Sequence, residues 1–66
     1  MIPHLTPRQR EVCILLVAGC SVKDISRRLQ LSPRAVEHYK DQLFERLEVR
    51  TLREFLRLMW SLEQSA

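Results

Sequence analysis

The segment LSPRAVEHYKDQLFERL, residues 31–47, decides the fold of this chain. Ser32 is a residue type that caps helix N-termini, and Pro33 follows at the first helical position, where the missing N–H of proline costs nothing. No glycine or further proline interrupts the rest of the segment, so the pattern predicts the best-defined helix of the chain. Placed at about 100° per residue, its aliphatic residues form one core-facing side: Val36, Leu43 and Leu47.

The other side of this helix is polar and is predicted to meet solvent or a binding partner. We call it the outer face, and its residues are Arg34, Glu37, His38, Asp41, Gln42 and Glu45. With histidine counted as neutral, the carboxylates outnumber the single guanidinium and the outer face is net negative. Tyr39 and the stem of Lys40 flank the apolar side. The function of the chain depends on what the outer face binds.

Length and composition predict one small all-α domain, covering residues 1–66. A chain of 66 residues is near the lower limit for folding on one core without disulfides or metals. Aliphatic residues are plentiful, and one glycine and three prolines leave few helix breakers. The formal charge of +3 favours nucleic acid as a partner. A solvated, slightly basic surface explains the same charge equally well.

The cysteine pattern indicates reduced thiols in a cytoplasmic protein. Cys13 and Cys20 are too few for a disulfide framework, and their spacing does not match that of zinc ligands. A mixed metal site with His4 and His38 is therefore disfavoured, and we expect no metal or cofactor. No apolar run approaches the roughly twenty residues that a membrane span needs, and no signal sequence is visible. The chain also lacks a glycine-rich phosphate loop or a supported nucleophile–base set, so we expect no enzyme activity.

Capping patterns predict two helices before the segment at residues 31–47. Thr6 and Gln9 form a capping box that begins a first helix, which ends at Gly19, the only glycine of the chain. Ser21 and Asp24 form a second capping box, beginning a short helix that ends near residue 30. Two residues then separate this short helix from the longer one, which is the arrangement of a helix-turn-helix.

A capping box at Thr51 and Glu54 predicts a last helix that runs to about Leu62. The fold class is therefore an all-α, four-helix domain with a central helix-turn-helix. Further core positions are predicted at Leu5, Val12, Leu15, Leu16, Ile25, Leu29 and Val49. Ile14 and Val17 fall on the outside of the first helix. We interpret them as solitary exposed aliphatics, which are common, in preference to a contact patch.

The last helix is apolar over an arc of about 200°, whereas a surface helix needs a stripe of roughly 100°. A domain this small cannot cover both flanks of such a helix. Part of it is therefore predicted to pack against another chain, most simply a second copy across a two-fold axis. The predicted interface residues are Leu52, Leu56, Met59 and Trp60, with Trp60 as the anchor. The alternative is a frayed C-terminal helix with exposed leucines.

Three blocks of the sequence carry a family resemblance: LTPRQREV (5–12), GCSVKDISRRLQLSPRAVEHY (19–39) and LFERLEVR (43–50). Together they resemble the LuxR/FixJ-type DNA-binding domain found at the C-terminus of many bacterial transcription regulators. The resemblance covers residues 5–56 in order and spacing. It implies four helices, of which the third enters the major groove of double-stranded DNA and the fourth mediates dimerisation.

The resemblance also implies roles for individual residues. Base-facing positions fall at Glu37, His38 and Asp41, and phosphate-contacting positions at Lys23, Ser32, Arg34, Ala35, Tyr39 and Lys40. The chain departs from the family pattern in having Ala35 for threonine, Tyr39 for histidine, Glu48 for the glycine after the third helix, and Asp41 for a basic or small polar residue. The acidic replacement at Asp41 bears most directly on DNA binding.

Two functions follow from these observations. The first is a sequence-specific DNA-binding regulator that acts as a dimer on a two-part operator. Carboxylates do not forbid this, because Glu or Asp can accept a hydrogen bond from cytosine N4, while basic residues elsewhere hold the phosphates. The second is a protein-interaction module of the same fold, an antagonist that pairs with another regulator through its apolar last helix and binds DNA weakly or not at all.

Overall fold

The computed structural model describes residues 4–65, which form four α-helices. In chain order these are α1 (Pro7–Val17), α2 (Val22–Leu29), α3 (Pro33–Arg46) and α4 (Leu52–Ser65). Within residues 4–65 there is no strand. The predicted all-α fold with a central helix-turn-helix is confirmed, with α2 and α3 as its two helices. The part of the N-terminal lead-in at residues 1–3 lies outside the described residues.

The predicted caps begin the helices. At α1, the Thr6 hydroxyl oxygen accepts from the Gln9 N–H at 3.2 Å, and the Gln9 side chain accepts from the Thr6 N–H at 3.0 Å. Ser21 and Asp24 exchange the same two hydrogen bonds at α2, both at 3.2 Å. Single caps begin the other two helices: Ser32 accepts from Ala35 at 3.1 Å, and Thr51 accepts from Glu54 at 3.1 Å. The Glu54 side chain does not return the bond to the Thr51 N–H, so the capping box predicted there is only a single cap. These bonds satisfy N–H groups that have no partner inside a helix.

A glycine ends α1 as the sequence predicts. Gly19 has φ +91°, in the left-handed region that glycine enters without steric cost. Its N–H donates to the Leu16 carbonyl, and the Cys20 N–H donates to the Leu15 carbonyl, both at 3.0 Å. This pair of bonds is the Schellman motif, which satisfies the last carbonyls of the helix.

The same motif ends α3 without a glycine. Glu48 has φ +57°, its N–H donates to the Glu45 carbonyl at 3.1 Å, and the Val49 N–H donates to the Phe44 carbonyl at 3.0 Å. Glu48 is the position at which the family resemblance implies a glycine. The fold therefore keeps the left-handed turn here, although a side chain with a Cβ makes that backbone conformation strained.

All four helices contribute to one hydrophobic core. Its buried residues are Leu5, Val12, Cys13, Leu16, Ile25, Val36, Leu43, Leu47 and Phe55. The predicted positions Leu15, Leu29 and Val49 are half-buried and pack against this core. Phe55 joins α4 to α3 by stacking on Phe44, with ring centroids 5.4 Å apart. The core therefore contacts one side of α3, and the other side of this helix stays exposed.

The described part of the N-terminal lead-in, which begins at His4, contacts α3. Leu5 is buried, as the sequence predicts, and the Arg46 guanidinium donates to the His4 carbonyl from Nε at 3.3 Å and from a terminal nitrogen at 3.0 Å. His4 is thus tied to the C-terminal turn of α3.

Candidate nucleic-acid interface

The orientation of α3 agrees with the sequence prediction. Val36 and Leu43 are both 0% exposed, whereas Glu37, His38 and Asp41 are all exposed. Arg34, Gln42 and Glu45, the other members of the outer face, are exposed as well. A side of α3 that the core does not cover therefore presents hydrogen-bonding groups to the surroundings.

The predicted phosphate-contacting residues lie at the N-terminal ends of α2 and α3. Lys23 is exposed in the first turn of α2, and Arg34 is exposed in the first turn of α3. The Ser32 hydroxyl oxygen accepts the cap bond from Ala35, which leaves its O–H proton available to donate to a ligand. Helix N-termini carry partial positive charge, so the start of α3, which has no acidic residue in its first turn, favours an anion. At the start of α2 the Asp24 carboxylate already occupies this position.

Two of the predicted contact residues interact on α3 itself. The Lys40 ammonium lies 3.7 Å from a carboxylate oxygen of Glu37, and it sits 5.9 Å from the centroid of the Phe44 ring. Glu37 and Lys40 have the i, i+3 spacing of a helical ion pair, so this contact could have been predicted from the sequence. The pair offsets one of the three carboxylates of the outer face.

Tyr39 and His38 occupy different surroundings although they are neighbours in the chain. Tyr39 is half-buried and packs against the core, whereas His38 is exposed. Their rings meet edge to face, with centroids 6.2 Å apart and planes at 62°. The core thus positions Tyr39, and its ring in turn supports one side of the His38 imidazole.

The cap of α2 has an electrostatic consequence. The pKa of the Asp24 carboxyl lies below its ordinary value of 3.8, first because the Ser21 backbone N–H donates to the carboxylate and then because the Ser21 hydroxyl does so. The positive charges of Arg27 and Arg28 act in the same direction. Asp24 therefore serves the helix cap as a carboxylate and lies beside basic residues on the exposed side of α2.

An apolar groove of about 600 Å³ lies between α1 and α4. We call it the α1–α4 groove, and its apolar lining includes Cys13, Ile14, Val17, Leu56, Met59 and Trp60. Ile14 is 60% exposed and Trp60 is 64% exposed. The interpretation of Ile14 and Val17 as solitary is therefore wrong, because α4 crosses beside them and joins them to one apolar surface. Helical periodicity placed these two residues outside the core but could not show which helix lies next to them.

The four predicted interface residues do not share one environment. Trp60, Leu56 and Leu52 are exposed, whereas Met59 is half-buried, with its sulfur 3.9 Å from that of Cys13. Leu52 does not line the groove. Burial raises the pKa of the Cys13 thiol, which favours the protonated, unreactive form. The contact between Met59 and Cys13 thus joins α4 to α1 at the base of the groove.

Of the helices within residues 4–65, none combines the length and apolar character that crossing a membrane requires. Over the same range, His, Cys, Asp and Glu side chains do not form a group of three that could hold a metal ion.

Known proteins resemble this chain over most of its length. Residues 3–59 match the family model for bacterial regulatory proteins of the luxR family. The chain is 37% identical over 57 residues to the transcriptional regulatory protein FixJ of Bradyrhizobium diazoefficiens, covering 86% of this chain and 28% of that protein. It is 44% identical over 49 residues to the putative HTH-type transcriptional regulator YhjB of Escherichia coli, covering 74% of this chain and 24% of that protein.

The match therefore spans about a quarter of the length of these two relatives. No solved structure matches the chain significantly. The family model nevertheless covers all of α1, α2 and α3, together with the first half of α4. The family consists of regulatory proteins rather than enzymes. The helix-turn-helix, its exposed α3 and the match over residues 3–59 agree with one another. The chain belongs to the luxR family of bacterial regulatory proteins.

Proposed function

We propose that this chain is a DNA-binding module of a bacterial transcription regulator and places α3 in the major groove of double-stranded DNA. The observation that carries this proposal is the orientation of α3, whose fully buried Val36 and Leu43 leave His38 and its neighbours exposed. The major groove admits an α-helix and presents a distinct set of donors and acceptors for each base pair. The two relatives named as transcriptional regulators support the same function.

Within this proposal, Glu37, His38 and Asp41 contact base edges. Each carboxylate can accept a hydrogen bond from cytosine N4, and the imidazole can donate or accept. Glu37 and Asp41 are four residues apart and so lie on neighbouring turns of α3. The preferred operator should therefore contain cytosines that face both turns.

Phosphate contacts supply the attraction that the outer face lacks. The residues in this role are Lys23, Ser32, Arg34, Tyr39 and Lys40. Lys23 and Arg34 lie near the positive ends of α2 and α3, where backbone N–H groups add to their effect. Arg27, Arg28 and Arg50 are also exposed and extend the basic surface.

Binding to a two-part operator requires two copies of the module. We propose that α4 pairs the copies through Leu52, Leu56, Met59 and Trp60, so that two α3 helices enter successive major grooves about 34 Å apart. Sedimentation equilibrium of the wild-type chain, Trp60→Ala and Leu56→Ala tests this pairing. We expect a dimer that both substitutions weaken, and a monomer in all three samples would refute it.

The DNA proposal is tested by selecting binders from duplexes of random sequence and measuring how the affinity of the selected duplex depends on salt. Arg34→Ala should weaken binding to all sequences and reduce the magnitude of the salt slope by about one. His38→Ala should instead change which sequences are enriched. The matched control is Arg57→Ala, which also removes one positive charge but does so on α4, not on α3. Selection that enriches no sequence, together with an affinity insensitive to salt, would refute the proposal.

One observation favours a second function, that of an antagonist that binds another regulator through α4. Three exposed carboxylates, Glu37, Asp41 and Glu45, lie on the face that would approach DNA, and the phosphates repel them. Asp41→Lys separates the two functions. If wild type fails to bind any duplex and Asp41→Lys binds, the acidic outer face prevents DNA binding and the antagonist function is favoured.

A further inference from the structure

A polar cleft of about 490 Å³ lies between the first turn of α1 and the C-terminal end of α3. We call it the α1–α3 cleft, and its lining residues are Gln9, Gln42, Glu45, Arg46 and Glu48. It is separate from the α1–α4 groove, because the two share no lining residue. None of its residues is a proposed base or phosphate contact, so the proposed DNA binding leaves the cleft unexplained.

Gln9 places an unused hydrogen-bond donor in this cleft. The residue is 9% exposed, and its side-chain oxygen accepts from the Thr6 N–H at 3.0 Å. Its amide nitrogen can donate two hydrogen bonds but has no partner within residues 4–65. No fully buried side-chain nitrogen in that range lacks a partner, so this nitrogen must reach the surface. Because the surface that Gln9 lines is the cleft, the occupant should supply a hydrogen-bond acceptor.

The charged residues of the cleft leave it negative, although the chain has a formal charge of +3. Glu45 and Glu48 are exposed, and neither carboxylate takes part in an ion pair between described residues. Arg46 supplies one positive charge, but its guanidinium already donates two hydrogen bonds to the His4 carbonyl. Two carboxylates and one guanidinium together attract a cation and repel a phosphate.

The backbone of Glu48 is strained at this site. Its φ of +57° lies in the left-handed region, which disfavours a residue with a Cβ. The turn fixes Glu48 next to Glu45, since the Glu48 N–H donates to the Glu45 carbonyl at 3.1 Å. Glycine would adopt this conformation without strain but would bring no carboxylate. Strained residues cluster at binding sites, and a carboxylate is what Glu48 adds to this one.

The donors and acceptors of the cleft favour one class of occupant. A metal ion is disfavoured, because no group of three His, Cys, Asp or Glu side chains within residues 4–65 could hold one. A free amine offers no acceptor to Gln9. Sites for drug-sized molecules are mostly apolar, whereas this lining is polar. A basic residue of a polypeptide supplies both the cation and a carbonyl acceptor, and the planar fork of arginine can engage two carboxylates.

We propose that the α1–α3 cleft binds an arginine residue of a partner polypeptide. The guanidinium lies between the Glu45 and Glu48 carboxylates, and the backbone carbonyl of the same arginine accepts from the Gln9 amide. Gln42 lines the same cleft and offers a further amide to the partner's backbone. The inference goes beyond the proposed function, because it assigns a protein contact to residues that have no proposed role in binding DNA.

Two-dimensional ¹H–¹⁵N NMR of the full chain tests the site with the blocked peptide acetyl-Gly-Arg-Gly-amide. This peptide should shift the side-chain amide signals of Gln9 in a saturable manner. The same peptide with citrulline, a neutral isostere of arginine, should shift them far less, and a lysine peptide should bind more weakly. Absence of a saturable shift at Gln9, or equal binding of the citrulline peptide, would overturn the site. Equal binding of the lysine peptide would overturn the assignment to arginine.

Glu45→Gln and Glu48→Gln each remove one carboxylate with little change in side-chain size. Each should raise the dissociation constant of the arginine peptide about two- to fivefold. Glu63→Gln removes the same charge from an exposed residue of α4 outside the cleft and is the matched control, which should bind as wild type does. An equal loss in Glu63→Gln would show a general effect of charge and overturn the role of the two carboxylates.

Gln9→Glu separates a specific site from an acidic patch. Glutamate keeps an oxygen that can cap α1 but replaces the donor with an acceptor. Binding should therefore weaken, although the cleft gains a negative charge, and tighter binding would overturn the contact to the peptide carbonyl. Circular dichroism confirms that each variant retains its helices. These samples contain no DNA, so a negative result would leave the proposed DNA binding standing.

Discussion

The carboxylate of Glu37 lies 3.7 Å from the ammonium of Lys40, so that a proposed base contact and a proposed phosphate contact neutralise each other on α3. An exposed i, i+3 pair is worth only a few tenths of a kcal/mol. A phosphate can therefore take Lys40 from Glu37 at small cost, although the freed carboxylate then faces the DNA uncompensated. The pair explains how an acidic outer face is tolerated in the free protein without removing its cost in a complex.

Glu37→Gln should strengthen binding to duplex DNA, because it removes a carboxylate from the outer face and frees Lys40 for a phosphate. The gain in affinity should appear for all duplex sequences and should be largest at low salt. Discrimination at the base that Glu37 contacts should fall. Fluorescence anisotropy with the selected duplex and a scrambled duplex measures both effects. Glu11→Gln, which breaks the 2.9 Å ion pair with Arg8 on α1, is the control, and an equal gain in that variant would contradict the role of Glu37.

Ile14→Ser should weaken the dimer without lowering the free energy of unfolding by more than about 0.5 kcal/mol, because Ile14 is exposed in the monomer. The dimer should weaken because the serine hydroxyl replaces an apolar side chain that lines the α1–α4 groove. Leu52→Ser changes an exposed leucine of the proposed α4 pairing that does not line the groove, and it should weaken the dimer as well. If Leu52→Ser weakens the dimer and Ile14→Ser does not, the interface is a face of α4 alone.

Phe55→Ala should destabilise the fold by about 3–5 kcal/mol, because Phe55 is fully buried and stacks on Phe44. A loss of this size is a large part of the stability expected for a small domain. Urea unfolding followed by circular dichroism measures it. Leu56→Ala alters the next, exposed residue and should change the free energy of unfolding by less than about 1 kcal/mol. Similar losses in the two variants would mean that α4 does not anchor on α3 as described.

Glu48→Gly should stabilise the fold by roughly 0.5–1 kcal/mol, since glycine relieves the left-handed strain at φ +57° by more than it loses in chain entropy. Glu48→Ala keeps a Cβ at the same backbone conformation and should give no such gain. Thermal unfolding compares the two variants with wild type. A gain in Glu48→Ala as large as that in Glu48→Gly would attribute the effect to the lost carboxylate instead.

The free energy of unfolding should fall in acid through Asp24. Its pKa in the folded chain lies below the ordinary value of 3.8, so the stabilisation is complete above that value and is lost as the pH falls through the lower, folded-state pKa. Asp24→Asn removes the stabilisation that the ionised carboxylate contributes. The urea midpoint of this variant should therefore fall less steeply than that of wild type as the pH is lowered. Ser21→Ala should reduce the fall partly, because it removes the hydroxyl donor. A fall in Asp24→Asn as steep as that of wild type would contradict this account.

Local patterns predicted the helices well because their causes are local. The caps at Thr6, Ser21 and Ser32 satisfy N–H groups within three residues of each cap, and the apolar period of α3 needs only its own helix. Glu48 shows where such reasoning ends. Nothing in its residue type favours a left-handed turn, yet the Schellman bonds of α3 and the packing of Val49 impose one.

The candidate site was likewise predicted only in part from the sequence. Periodicity predicted that Glu37, His38 and Asp41 would be exposed, and spacing alone could have shown the pair between Glu37 and Lys40. Neither could show that α4 packs beside Ile14 and Val17, because the groove joins residues about forty positions apart in the chain.

By itself, then, the amino-acid sequence determined four capped helices, a helix-turn-helix and the side of α3 that the core covers. Backbone hydrogen bonds and a helical period of about 3.6 residues act over short stretches of chain, so these features are set locally. Only the tertiary structure decided that α1 and α4 enclose one apolar groove. The relative placement of helices depends on how Phe55, Met59 and Cys13 fill the space between them, and that packing has no signature in any single segment.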